Sequence, residues 1–352
     1  MRAVQVIVPD GIDDPTRPSG GNTYDRQVCR GLAEAGWSVH ERVVPGSWPE
    51  PDAAACAALA AMVASLPDGA VVLLDGLIAS TVPEVLVPEA ARLRLVVLVH
   101  MPLGERSTEP STGARESAVL SAAAAVVTTS DWSRCWLLER YPVRPSRVHV
   151  ARPGVGPADL APGSPDGGHL LCVAAVVPDK GHDLLLAALA EVEDLPWRCD
   201  CVGSLTRDPG HVERLLGLAR SSGIADRVSF TGPRTGHDLE ASYAGADALV
   251  LATRAETYGM VVSEALAHGL PVLATSVGGL PEALGRLPDG SVPGLLVPPD
   301  DPAALAAALR RWLVDEDLRV ALRETARGRR TVLSGWSATS SEVARVLAGV
   351  SS

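Results

Sequence analysis

Short apolar runs alternate with helical patterns along this chain, and that alternation admits little besides an α/β architecture. Val4–Val8, Val71–Leu74, Leu95–Val99, Ala123–Thr128 and Val148–Ala151 read as strands, with helical patterns at Asn22–Glu34 and Asp131–Glu139. Pro153-Gly154-Val155-Gly156-Pro157 and the Pro- and Gly-rich run from Pro162 to Gly168 interrupt the pattern. It then restarts, with strands at Leu170–Val176, Arg198–Val202, Val228–Phe230, Ala248–Leu251 and Pro271–Ala274. Helical patterns lie between and after them, at Asp183–Ala190, Val212–Ser221, Asp238–Ala244, Val261–His268, Ala303–Val314 and Leu318–Arg327. The expected organisation is two Rossmann-like domains, 1–153 and 154–335, facing a central cleft. A closing helix in 336–352 is expected to pack back towards the first domain. In doubly wound sheets ligands bind beyond the carboxyl ends of the strands.

At 352 residues the chain has room for two cores. Its net charge of −11 argues against a nucleic-acid binder or an anionic-membrane binder, which would present a basic face. The six cysteines form no CxxC pair and are expected to be reduced. The segment Met1–Pro9 reads as a strand and lacks the apolar core of a signal peptide, and no apolar run reaches membrane-spanning length. A cytoplasmic location is the expectation. One compositional fact is sharper: among 31 basic residues, Lys180 is the only lysine. A chain that otherwise uses arginine keeps a compact ammonium at one place, which suits a site that needs a point charge rather than a planar fork.

The most informative stretch is Ala248 to Gly269. A strand ends near Leu251, a loop carries Glu256, Gly259 permits a close backbone approach, and a helix opening near Met260 contains Glu264. A helix N-terminus offers unpaired N–H groups and the positive end of a dipole, which suits a diphosphate. Carboxylates accept paired hydrogen bonds from polyols, so Glu264 suits a ribose diol and Glu256 suits sugar hydroxyls.

This stretch resembles the Glu-x7-Glu motif of the family 4 retaining glycosyltransferases, which have the GT-B fold. The resemblance includes Glu256, Tyr258 and Gly259, then Glu264-Ala265, the turn Gly269-Leu270-Pro271-Val272, and the loop Gly278-Gly279-Leu280-Pro281-Glu282. It also includes Ser19-Gly20-Gly21-Asn22, placed before the first helix, and Pro178-Asp179-Lys180-Gly181. It implies transfer of a hexosyl group, with retained anomeric configuration, from a nucleotide-diphosphate sugar to a small hydroxylated acceptor. A UDP-sugar is the family's usual donor. The residues implied in catalysis are Glu256, His100 and Lys180. Those implied in donor binding are Gly20, Gly21, Lys180, Gly203, Arg234, Glu256, Thr257, Tyr258, Gly259, Met260, Val261 and Glu264. No metal and no cofactor beyond the sugar nucleotide are expected.

One departure stands out. The family's arginine shortly before the Lys-Gly element corresponds here to Ala175, which removes a phosphate-binding cation. Arg234 and Arg254 are the candidates to compensate. Three other readings fit the pattern: a phosphorylase or epimerase on the same fold, a degenerate nucleotide-sugar-binding protein, and an inverting transferase with Asp13 or Asp14 as base. The acceptor carries no motif; Arg106 and Arg115, in a polar loop expected over Gly104–Ser117, are its charged candidates.

Overall fold

A computed structural model describes residues 2–16, 18–107 and 109–351. It contains two six-stranded sheets, all of whose strand pairs are parallel. By contacts the chain forms two compact units. The first takes the described residues within 1–13, 19–154 and 334–352, and the second those within 14–18 and 155–333.

The strands of the first unit are β1 (Ala3–Pro9), β2 (Ser38–Val44), β3 (Val71–Asp75), β4 (Arg94–Val99), β5 (Ala125–Thr128) and β6 (Val148–Val150), in the spatial order β2-β1-β3-β4-β5-β6. The chain runs from β1 outward to β2 and then returns to lay β3 on β1's other side. The gap beyond β1 and β3 is therefore the switch point of this sheet. Central strands such as β3 are buried along their whole length, as helices on both faces of a parallel sheet require. β2 escapes the sequence reading because it is an edge strand. It carries Glu41 and Arg42 and is largely exposed, so it shows no apolar run.

Two further differences have local causes. The first helix is Gly20–Glu34 and begins two residues earlier than expected. Ser19 is its N-cap, its hydroxyl accepting from the Asn22 N–H at 3.1 Å, so Gly20 and Gly21 form the first turn rather than a preceding loop. The segment expected as a polar loop is mostly helix, Leu103–Arg106 and Pro110–Ala122. Its one inward-facing acid, Glu116, is fully buried and accepts from the Leu103 and Gly104 N–H groups and from the hydroxyls of Ser80 and Tyr141. Arg115 is exposed, and the side chain of Arg106 lies outside the described residues. The last helix, Trp336–Val350, belongs to the first unit and packs on Gly20–Glu34, where Gly31 leaves room for Ser340.

The strands of the second unit are β7 (His169–Val173), β8 (Arg198–Val202), β9 (Val228–Gly232), β10 (Ala248–Leu251), β11 (Val272–Thr275) and β12 (Gly294–Val297), in the order β12-β11-β10-β7-β8-β9. Here too the chain steps outward, from β7 to β9, before β10 returns to β7's other side. The switch point lies between β7 and β10. The core of this unit draws on Ala, Val and Leu, with Trp312 fully buried and its indole N–H donating to the Gly167 carbonyl at 2.8 Å. All six cysteines are free thiols, and four are buried.

Candidate active site

The turns that follow β7, β8, β9 and β10 carry Lys180, Gly203, Arg234 and Glu256, all at the carboxyl edge of the second sheet. Because β10 lies beside β7, the turn with Lys180 meets the turn with Glu256. Lys180 Nζ donates to Glu256 Oε2 at 2.7 Å, both side chains being mostly shielded. The turns are also joined through the backbone: the Arg254 N–H and the Thr253 hydroxyl both donate to the Asp179 carbonyl, at 2.8 and 3.0 Å. Gly181 makes this approach possible. Its φ is +63°, and a Cβ there would stand 1.9 Å from the Ala252 carbonyl oxygen.

Glu256 is held from behind by the Gly278-Gly279 loop. The Gly279 N–H donates to the Glu256 carbonyl at 2.9 Å. A Cβ on Gly278 would fall 1.7 Å from that carbonyl oxygen, and one on Gly279 would fall 2.2 Å from the Thr257 oxygen. The resemblance-implied loop thus acts as a backing plate with no room for side chains. Burial alone would raise the proton affinity of Glu256. The Lys180 ammonium and the N–H groups of Thr257 and Tyr258 outweigh it and hold the carboxyl below its ordinary range. Glu256 is therefore ionised at neutral pH.

Gly259, at φ +93°, caps the helix Met260–Ala267. It offers no capping side chain, so the first-turn amides of Met260 and Val261 are left without intrahelical partners. A Cβ at Gly259 would stand 2.5 Å from Leu280. The Tyr258 ring is buried in the core, which leaves its backbone rather than its ring for a ligand. One turn into the helix, Glu264 Oε2 accepts from the Tyr243 hydroxyl at 2.6 Å. Burial raises the Glu264 carboxyl above its ordinary range, with Glu240 adding to the rise and the Tyr243 bond opposing it. Tyr243 is in turn stacked on His268, ring centroids 5.0 Å apart.

The two compensating cations proposed for the missing arginine differ sharply. Arg254 is consumed: Nη1 and Nη2 clamp Asp183 at 2.9 and 2.7 Å, Nε donates to Asp300 at 2.8 Å, and Nη1 also donates to the Pro178 carbonyl. It pins the Lys180 turn and has no charge to spare. Arg234 donates only to a neutral hydroxyl, Ser242 Oγ at 2.8 Å, and makes no ion pair with a described residue. Gly203 presses against the chain at the anomalous position, where a Cβ would stand 1.9 Å from the Ala174 oxygen, next to Ala175.

The remaining sequence-predicted residues belong to the first unit: Gly20 and Gly21 open the helix that follows β1, beside the switch point, and His100 follows β4, the neighbour of β3. A Cβ on Gly21 would sit 3.2 Å from the His100 ring. His100 Nε2 bonds Asp25 Oδ1 at 2.8 Å, and Asp75 completes a group whose ligand-type atoms lie within 4.8 Å of one another. Tyr24, at 5.2 Å in an edge contact, walls the ring. Sequence reasoning missed Tyr243, Asp25 and Asp75. For Asp75 a signal existed, an acid directly closing an apolar strand at the carboxyl end; for Tyr243 and Asp25, inside helical patterns, there was none.

Residues 167–315 match the family model described as Glycosyl transferases group 1. The D-inositol 3-phosphate glycosyltransferase of Frankia alni is 35% identical over 261 residues, covering 69% of this chain and 63% of the relative. That of Salinispora arenicola is 32% identical over 285 residues, covering 74% and 62%. The chain thus spans somewhat under two thirds of the length of these curated relatives. Among solved structures, the sucrose-phosphate synthase of Thermosynechococcus elongatus superposes with a TM-score of 0.81 at 22% identity, covering 99% of both chains. HepE of Anabaena, solved in complex with UDP-glucose, superposes with a TM-score of 0.78 at 18% identity, covering 99% of this chain and 100% of that one. The fold is the GT-B fold that the sequence resemblance implied.

Proposed function

We propose that this chain, which belongs to the family 4 glycosyltransferases, moves a hexosyl group from a nucleoside-diphosphate sugar to a small hydroxylated acceptor with retention of configuration. The observation that carries the reading is the Lys180–Glu256 contact at the switch point between β7 and β10, beside the uncapped turn at Met260.

Each residue has a distinct task. The Met260 and Val261 amides and the Lys180 ammonium receive the diphosphate and stabilise the charge that grows on it as it leaves. Glu256 is ionised, so it accepts hydrogen bonds from sugar hydroxyls and lies opposite a developing oxocarbenium; it does not protonate the leaving group. Glu264 takes the ribose diol. With Oε2 engaged by Tyr243, it uses Oε1 and the remaining lone pair of Oε2, a narrower role than a fully free carboxylate. Arg234 takes over part of the charge lost at Ala175. Charge stabilisation of the diphosphate by protein groups is the reason for expecting turnover without a divalent metal.

UDP-glucose in the Anabaena HepE structure supports UDP-linked hexose as the first donor to test. The names of the curated relatives support a polyol phosphate such as D-inositol 3-phosphate as the first acceptor. The test is a thermal-shift screen of nucleotide sugars, then reaction of the best donor with an acceptor panel, with product mass and anomeric configuration read by NMR. An axial product from an axial donor, formed equally well in a chelator, is the expected result. Inverted product, or tight donor binding with no acceptor-dependent release of nucleotide, would overturn the reading. No helix among the described residues is long and apolar enough to cross a membrane.

A further inference from the structure

The first unit holds a buried polar cluster that the donor-site assignment does not use. Asp25 comes from the helix Gly20–Glu34, Asp75 ends β3, and His100 follows β4. Both aspartates are almost wholly buried and His100 nearly so. Three observations define its chemistry. His100 Nε2 bonds Asp25 Oδ1 directly, at 2.8 Å. Asp25 Oδ2 is buried with no donor among the described residues. The carboxyl of Asp75 stands beside that of Asp25, one oxygen of each within 4.8 Å of the other, while the Asp75 Oδ1 accepts from the Leu77 N–H at 2.7 Å.

Two ionised carboxylates have no hydrogen to share, and an orphaned buried oxygen is costly. A single proton on Asp75 repairs both faults, because a protonated carboxyl donates. The cluster then holds one imidazolium, one carboxylate and one neutral acid, with no net charge in a site that tolerates none. A divalent cation with neutral histidine and two carboxylates would also balance the charge. The direct Nε2···Oδ1 bond favours the proton, since it already gives the ring nitrogen that faces Asp25 a carboxylate partner.

We propose that Asp25 and Asp75 are positioning residues that share one proton between two carboxyl groups and so keep His100 as a fixed imidazolium at the carboxyl end of β4, a cationic donor towards an anionic or hydroxylated ligand. Asp25 sets the charge of His100. Asp75, in its neutral form, orients Asp25. Nδ1 of His100 makes no hydrogen bond to a described residue and is the donor on offer. The groups that face the ring are Asp25 and the Tyr24 phenol on the helix Gly20–Glu34, and Asp75 at the end of β3; the phenol itself donates to the Ala151 carbonyl at 2.8 Å. Burial would drive the proton off His100, and the Asp25 charge and bond, with Asp75, reverse that, raising the imidazole to about 9. Burial and the Asp25 charge raise Asp75 to about 7.

The role towards a ligand rests on the proposed transferase activity, but the protonation state does not, and the two are tested apart. The chain is labelled with 15N-histidine, and the His100 signals are identified by their loss in His100→Gln. The expected result is an imidazolium at pH 8 in the natural chain. In Asp25→Asn the titration moves down by about one to three pH units, the effect of removing an adjacent opposite charge. Asp75→Asn, whose amide keeps the donor to Asp25 without a titrating proton, leaves His100 protonated at pH 7. Thermal midpoints identify any variant that fails to fold, and Asp25→Glu, which keeps the charge, restores the high titration. A neutral His100 at pH 8 in the natural chain, or an Asp25→Asn titration that does not move, overturns the proposal. So does a stoichiometric divalent metal by elemental analysis that disappears in Asp25→Asn. If transfer is detected, the alkaline limb of the kcat/KM profile moves to lower pH in Asp25→Asn. An imidazolium found as expected in a chain that transfers no sugar would count against the transferase reading and for this one.

Discussion

Lys180 Nζ and Glu256 Oε2 stand 2.7 Å apart, so the chain's only lysine and the first acid of its Glu-x7-Glu motif form one ion pair. Lysine supplies a point charge that can bind the carboxylate and still face a phosphate; a guanidinium is planar and bulkier. Lys180→Ala removes the counter-ion of Glu256 and, on the proposed function, the cation at the leaving group. The expected fall in kcat is about 10²-fold, the size typical of losing one preorganised charge-stabilising donor. Lys180→Arg keeps the charge and costs less. Steady-state kinetics on both variants check this, and equal activities near the natural level would show that the pair is only structural.

On the proposed function, the two acids divide the donor between them. Glu264→Ala is expected to weaken nucleotide binding about tenfold by calorimetry, with a smaller effect on kcat, whereas Glu256→Ala lowers kcat and leaves nucleotide affinity nearly intact. Tyr243→Phe removes the hydroxyl that donates to Glu264 at 2.6 Å. A hydrogen bond to a charged group contributes about 1.5–3 kcal/mol, so this variant should lose both stability and part of the nucleotide affinity. A Tyr243→Phe chain that binds nucleotide and melts like the natural one would remove Tyr243 from the site.

Gly278 is required by contact as well as by its backbone angle. Gly278→Ala places a methyl 1.7 Å from the Glu256 carbonyl at φ +52°, while Gly290→Ala, at φ +87°, meets nothing within 4 Å. Gly290→Ala should cost about 1–2 kcal/mol, the strain of a left-handed non-glycine residue. Gly278→Ala should cost more than that and should also displace Glu256, lowering the melting midpoint and kcat together. Similar midpoints for the two variants would contradict the backing role of the Gly278-Gly279 loop.

Arg254 is expected to be a stabilising residue and not a donor ligand. Its guanidinium is shared between Asp183 and Asp300 and also bonds the Pro178 carbonyl. Arg254→Ala should lower the melting midpoint while leaving nucleotide affinity within about twofold, since the phosphate never had access to a free charge there. Arg234→Ala should do the reverse. Calorimetric titration of both variants separates the two; loss of affinity in Arg254→Ala alone would exchange their roles.

Stability should fall on the alkaline side. His100 is a base whose folded-state proton affinity is raised, so its contribution is complete below the ordinary histidine range and is lost as pH rises through about 9. Asp75 is an acid raised to about 7, so the fold favours its protonated form and loses that contribution as pH rises from the ordinary carboxylate range through about 7. Urea midpoints measured from pH 5 to pH 9 should therefore decline. Asp75→Asn should flatten the lower part of the decline and keep the His100 limb. A midpoint that rises over this range would contradict both shifts.

Much of this was legible in the chain itself, and what was legible is short-range. Apolar runs marked the central strands because a strand buried on both faces has few other choices of residue. They did not mark β2, whose exposed edge carries charge, nor the helix Ala53–Ala64, where alanine on every side erases the periodicity. Gly259, Lys180, Glu256 and Glu264 could be named because turn geometry and side-chain chemistry are properties of a few consecutive residues. Their partners could not. Lys180 reaches Glu256 only because β10 returns to lie beside β7, and His100 meets Asp25 and Asp75 only because β3 returns to lie beside β1. The sequence by itself determined the buried central strands, the glycine turns and the charged groups of the candidate site. Only the tertiary structure decided that Arg254 is spent on Asp183 and Asp300, that Tyr243 claims half of Glu264, and that Lys180 and Glu256 are one pair. Strand order is settled by how two sheets bury their faces, and no local pattern records which turns that packing will bring together.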